Sequence, residues 1–160
     1  DGLAAGVSVI ASISMFFMAV SMNQYLPAMI LVAMSGAALG FLQYNFNPAK
    51  IFMGDTGSLA FGATLATIAF MTDTLIAFII MSSIFIFETI SVILQISSKK
   101  IRKGKKIFKI APFHHHLEAI GWKEETIVMR LWLLGMILAV VGVIFSVSSI
   151  GTYAAHLIAG

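Results

Sequence analysis

The sequence has no cysteine, only three prolines and little charge: Asp, Glu, Lys and Arg together make up 11% of its 160 residues, against about 25% in a soluble domain. Without cysteine there is no disulfide scaffold, no thiolate nucleophile and no thiolate-ligated metal. The scarcity of charge, beside 59% hydrophobic residues and a mean hydropathy of +0.99, excludes a water-soluble globule and a disordered chain alike. A nucleic-acid footprint is missing too. Every Lys and Arg except Lys50 falls between 99 and 130, which reads as a membrane-side determinant rather than a stripe for a phosphate backbone, so no nucleic-acid partner is expected. A charged leader is also lacking, and the opening on Asp1 reads as the interior of a longer chain.

What the sequence does have is long apolar runs. Five candidate spans cover about 3–22, 25–43, 57–72, 74–97 and 126–149, each expected to be helical because a lone strand cannot satisfy its backbone in lipid. The fold class expected is therefore all-α, a polytopic transmembrane helical bundle. The third span is the shortest, roughly 24 Å of helix against a hydrocarbon core of about 30 Å. With loops 44–56 and 98–125 on one side, all the basic residues lie on or near that side, which the positive-inside rule makes cytoplasmic. Gly36 and Gly40 form a GxxxG spacing suited to close helix approach.

Three polar regions then share one face. Asp55, in FMGDTGS, is a hard oxygen donor between Gly54 and Gly57; it suits Mg²⁺, with glycines that let a phosphate approach the backbone, and it reads equally as a helix N-cap. His114, His115 and His116 cannot all converge on one ion, because successive helical side chains diverge by about 100°. They read as donors to phosphate oxygens, helped by Lys109 and Lys123, or as a solvated loop. Glu88, about nine residues inside the fourth span and hence roughly 13 Å deep, is functional or paired, with Arg130 one partner to consider. Asp73 and His156 read as solvated positions on the opposite side.

The pairing of NFNPAKIFMGDTGSLAFG (45–62) with KIFKIAPFHHHLEAIGW (106–122), in that order and two spans apart, resembles the phospho-N-acetylmuramoyl-pentapeptide-transferase family, a branch of the polyprenyl-phosphate sugar-1-phosphate transferases. DGLAAG at the start resembles the end of that family's NxxDGLDGLA motif, and FETISVILQ (87–95) and VMRLW (128–132) fit as well. The resemblance implies an enzyme of about ten spans in the bacterial cytoplasmic (inner) membrane, of which these residues are the C-terminal half. It would move phospho-MurNAc-pentapeptide from UDP-MurNAc-pentapeptide to undecaprenyl phosphate at the cytoplasmic face, giving lipid I and UMP with Mg²⁺. By position in the motifs, Asp55 would be the catalytic, metal-associated carboxylate. Asn45 and Phe52 would contact the uridine, Gly54 and Asp1 would lie at the nucleotide, and His114, His115 and His116 would line the diphosphate pocket. Membrane lipid is a further expected partner, and a homodimer stays open.

The family also carries an adjacent Asp-Asp pair that this sequence lacks, so the 160 residues alone are expected to be inactive. Two other readings are weighed. A related N-acetylhexosamine-1-phosphate transferase would carry a differently spaced His motif ending in His-His-Arg, whereas APFHHHLE is uninterrupted. A channel or transporter half would spread its polar residues across the membrane rather than gather them on one face.

Overall fold

The computed structural model describes the backbone of residues 1–159 and the side chains of residues 1–149; the side chain of His156 lies outside the described residues. Seven helices follow one another: α1 Leu3–Ser21, α2 Tyr25–Asn45, α3 Gly54–Met71, α4 Leu75–Met81, α5 Ser83–Ile101, α6 Phe113–Ala119 and α7 Glu124–Ala159. No strand occurs among the described residues. Helices α1, α2 and α7 are long and apolar enough to cross a membrane, and the bent pair α4–α5 makes a fourth crossing if counted as one span. The chain is a membrane protein, all-α, with three to four such spans.

The expected third span is a helix, but its first turn is Gly54-Asp55-Thr56-Gly57-Ser58. Only Leu59–Met71 is apolar, about 20 Å of helix at 1.5 Å per residue. The expected fourth span breaks: α4 and α5 meet at an angle of 70°. The break falls at the pair Ser82-Ser83, where the Ser83 hydroxyl donates to the carbonyls of Ile79 and Ile80 (3.1 and 2.7 Å), the back-bonding that bends helices. The depth expected for Glu88 assumed a straight helix, so it is not retained.

Helix α1 is the hub, packing on α2, α7, α3 and α4. Its inward face is made of small residues and methionines, with Ala11, Met15, Met18 and Ala19 buried against Ala28 and Leu31 of α2, Leu65 and Ile68 of α3, and Met81 of α4. A buried hydrogen bond from Ser35 Oγ to Ser12 Oγ (2.9 Å) ties α1 to α2. The closest backbone approach is not the GxxxG pair. Gly36 and Gly40 face outward, and a methyl group at either would meet nothing. At Gly6, a methyl group would run into the indole of Trp132, so hydrogen is the only side chain that lets α7 seat on α1.

Both turns at the far end of the bundle are built alike. Asn23 and Asp73 adopt left-handed backbone (φ 56° and 54°), and the following amides, Gln24 N–H and Thr74 N–H, return to the carbonyls of Ala19 and Ala69 (2.8 and 2.9 Å). This is the Schellman closure, and Asn and Asp are the non-glycine residues that tolerate it best. Such three-residue connections keep one end of the molecule tight, and the longer polar segments lie at the other end.

Candidate functional site

At that other end a cavity of about 440 Å³ opens between the starts of α1 and α7, the end of α2, the 46–53 loop, α5 and α6. Of the residues singled out in the sequence, Asp1, Asn45, Phe52, Gly54, His114 and His115 line it. The carboxylate of Asp55 and the ring of His116 do not. Glu88, Glu118 and Glu124 do, and only the first of these was marked in the sequence.

One wall is assembled around Asn45, which is buried at the end of α2. Its Oδ1 accepts the Gly2 N–H (3.1 Å), and its Nδ2 donates to the Ile51 carbonyl (2.8 Å). The Asp1 carboxylate accepts the Ala49 N–H (2.9 Å). The opening residues and the 46–53 loop are thereby fixed to each other, and the side-chain amide of Asn45 is engaged in holding that wall together. Beyond the loop, Gly54 enters α3 with φ 63°, a conformation costly for any residue with a Cβ. Asp55 follows in the first turn, exposed, its carboxylate bonded to no described residue, while Phe52 beside it is 75% exposed.

The opposite wall is α6, and here each imidazole has its own fixture. Glu88 Oε2 accepts the backbone N–H of Phe113 (2.8 Å) and His114 (3.4 Å), capping from α5 a helix whose own preceding residue, Pro112, brings no capping side chain. The same oxygen lies 3.1 Å from His114 Nδ1 without a hydrogen bond, so that the ring is placed beside Glu88 but its buried Nδ1 has no partner among the described residues. His115 Nδ1 pairs with Glu118 Oε2 at 2.8 Å, one turn along. His116 turns away: its Nδ1 accepts the Lys109 N–H (3.1 Å), which leaves the neutral ring's proton on Nε2, and its ring packs edge-on against Phe108 at 5.5 Å. Arg130, considered in the sequence as a partner for Glu88, instead stacks over Trp122 (4.4 Å). Glu88 Oε1 is buried on the cavity wall with no hydrogen-bond partner among the described residues. A buried acceptor of this kind is what a ligand's donor would satisfy.

Gln95 is a positioning residue that sequence reasoning missed. Buried in α5, it accepts the Ile107 and Phe108 N–H groups with Oε1 (3.1 and 3.0 Å) and donates from Nε2 to the Phe108 carbonyl (2.9 Å). It thus pins the strap that carries α6. An uncharged polar residue inside an apolar run was the available signal. A second, apolar cavity of about 460 Å³ adjoins the first, sharing Ala4, Met53, Ser58 and Phe85, and runs on past Phe61, Leu65 and Phe78.

With that geometry in view, residues 1–73, which carry the Asn45 wall and Asp55, decide the relationship. They match glycosyl transferase family 4. Similarity to the phospho-N-acetylmuramoyl-pentapeptide-transferases extends over most of the chain. It is 47% identical over 147 residues to that protein of Bacillus licheniformis and of Bacillus subtilis, and 43% identical to that of Geobacillus thermodenitrificans. Each alignment takes in 92% of this chain and 45% of the relative, so the chain spans about half the length of the curated relatives it matches. The family-4 match ends at Asp73, before Glu88 and the histidines.

Proposed function

We propose that this chain supplies part of the active site of a phospho-N-acetylmuramoyl-pentapeptide-transferase, which joins undecaprenyl phosphate to the phospho-MurNAc-pentapeptide of its UDP carrier. A phosphate oxygen of the polyprenyl substrate attacks the sugar-bearing phosphorus of the diphosphate. The bond from that phosphorus to the bridging oxygen breaks, and UMP leaves with the electron pair, giving lipid I. The observation that carries the reading is a cavity with carboxylates and imidazoles in its lining that adjoins one without them, since one substrate is a soluble nucleotide and the other a phosphate on a hydrocarbon chain.

The residues divide the work by chemistry. Phe52, exposed at the cavity wall, offers an aromatic face to a uracil. His114 and His115, held by Glu88 and Glu118, present ring nitrogens to diphosphate oxygens, and their fixed orientation means that little reorganisation is needed as charge moves. Glu88 Oε1 accepts a hydroxyl or amide donor of the sugar-peptide portion. Two anionic substrates meeting carboxylates on the same wall require added positive charge. Mg²⁺ fits that requirement, with the unpaired Asp55 as the residue that would hold it and water and substrate phosphates as further ligands; it would neutralise charge on the departing UMP.

The clustering of basic residues at the cavity's end of the bundle supports a cytoplasmic-facing site, and the 45% of each relative that the chain covers supports a longer parent in the bacterial inner membrane. The 160 residues alone are expected to be inactive, lacking the adjacent aspartates that the resemblance implies. A radiolabel exchange assay on the full-length parent tests the reading. UMP-dependent exchange with UDP-MurNAc-pentapeptide, and none with UDP-GlcNAc or without Mg²⁺, is the expected result. Preference for UDP-GlcNAc would reassign the protein to the related hexosamine transferases.

A further inference from the structure

A second cleft, of about 340 Å³, lies between the last turns of α5 and the strap that leads to α6, and it shares no residue with the cavity described above. Lys99, Lys106 and Lys109 line one part of it, and Val92, Ile96 and Ile110 the other. None of the three ammonium groups has a carboxylate partner among the described residues; Lys109 Nζ reaches only the Ala119 carbonyl, at 3.3 Å.

The gathering is enforced. Gln95 holds the backbone of Ile107 and Phe108 to α5, and Ser98 Oγ donates to the Lys105 carbonyl (2.9 Å), so the backbone that carries Lys106 and Lys109 is held beside the last turns of α5 and Lys99. Three like charges on backbone held together, without a carboxylate partner, raise the local potential and favour an anion. Half the lining is apolar, so the anion that fits carries hydrocarbon. The setting agrees: α5 leaves α4 at 70°, its outward residues Ile93 and Ile96 are 56% and 62% exposed, and its basic end adjoins the cleft. A helix with one apolar exposed face and a basic end, bent away from the short α4 that precedes it, suits the boundary between acyl chains and headgroups.

We propose that this cleft binds the phosphate headgroup of an anionic membrane lipid, with the three lysines on the phosphate and the Val92–Ile96–Ile110 surface against the first carbons of its chains. The proposal does not depend on the transferase reading, because the cleft is separate from that cavity.

The test is native mass spectrometry of the full-length protein released from mixed phosphatidylglycerol and phosphatidylcholine micelles. The wild type should retain one phosphatidylglycerol in preference to phosphatidylcholine. Each single Lys→Gln change at 99, 106 or 109 should weaken retention about fivefold, and the triple change on the order of a hundredfold. The comparison variant neutralises Lys100, Arg102 and Lys103, which have the same charge on the same segment outside the cleft, and should retain the lipid. Equal loss in both triple variants would mean diffuse attraction and would overturn the site. Displacement of the lipid by millimolar inorganic phosphate would overturn the lipid assignment in favour of a soluble anion. An unchanged melting midpoint in the triple variant confirms that binding, not folding, was altered.

Discussion

The two walls of the polar cavity are built on opposite plans. On the α6 wall two of the three histidines are bonded, His115 to Glu118 and His116 to the Lys109 backbone, while His114 lies beside Glu88 with its buried Nδ1 unbonded among the described residues. On the side that enters α3, Phe52 projects at the cavity wall and Asp55 lies just beyond it, neither with a polar side-chain partner, and the nearby hydrogen bonds are spent on backbone. The difference teaches where each role can lie. A group whose bonds are complete orients or donates from a fixed position, whereas an exposed carboxylate with no side-chain partner adds to folding only the modest favourable charge of a helix's first turn. On the proposed reading Asp55 acts in the ligand-bound state, and Glu88 and His116 hold α6 in place.

The sharpest way to break that contrast is Asp55→Asn in the full-length parent. Turnover should fall by at least ~10², the scale of losing one charge that stabilises a transition state, with yield and melting temperature unchanged because no internal bond is lost. A near-normal rate of UMP release, or a large fall in stability, would show that the free carboxylate is not the functional one.

Glu88 should behave in the opposite way. Glu88→Ala removes the cap of α6 and leaves two N–H groups unpaired, a cost of about 1–3 kcal/mol, so hydrogen exchange over residues 113–119 should quicken along with the loss of activity. Glu88→Gln keeps an acceptor for those amides and should restore most of the protection while restoring less of the rate. If the alanine variant left exchange over α6 unchanged, the capping role would be rejected.

How much of this was readable from residues alone follows the range of the interactions. Helices α1, α2 and α7 were visible because hydropathy sums locally, and the turns at Asn23 and Asp73 because polar residues interrupt apolar runs there. The gathering of 45–54 with 114–118 was expected from a count of five crossings; three to four helices or helix pairs qualify as spans, and it is the shared cavity that brings these segments together. The break itself was hidden, because composition carries no direction and Ser82-Ser83 sits in an otherwise apolar stretch. The bond from Glu88 to α6 and the three bonds of Gln95 were hidden because their partners lie 12 to 26 positions away and are backbone groups, which have no residue identity to recognise. Helix contact was misread for a similar reason: Gly36 and Gly40 match a short-range motif, while the glycine that matters, Gly6, meets a tryptophan far along the chain.

That last pair can be separated by experiment, with an effect smaller than those above on activity but clear in stability. Gly6→Ala should cost about 1–3 kcal/mol by overpacking against Trp132, and Gly36→Ala should be neutral or stabilising by up to about 1 kcal/mol, as expected for an exposed helical glycine. Denaturation in detergent reads both. Equal responses would mean that α7 does not seat on α1 through this contact.

The finest division lies within the histidine triplet, between adjacent residues on the same short helix. His115 faces the cavity and His116 faces the strap, so His115→Ala should raise the KM for the UDP substrate while leaving stability nearly untouched. His116→Ala should do the reverse, losing one neutral hydrogen bond and a ring contact with Phe108, each worth on the order of 1 kcal/mol. Paired measurements of KM and melting midpoint distinguish the two. If rate and nucleotide affinity were unchanged in the His115 variant, that side of the cavity would be surface rather than site, and the division of labour between the two walls would rest on Asp55 alone.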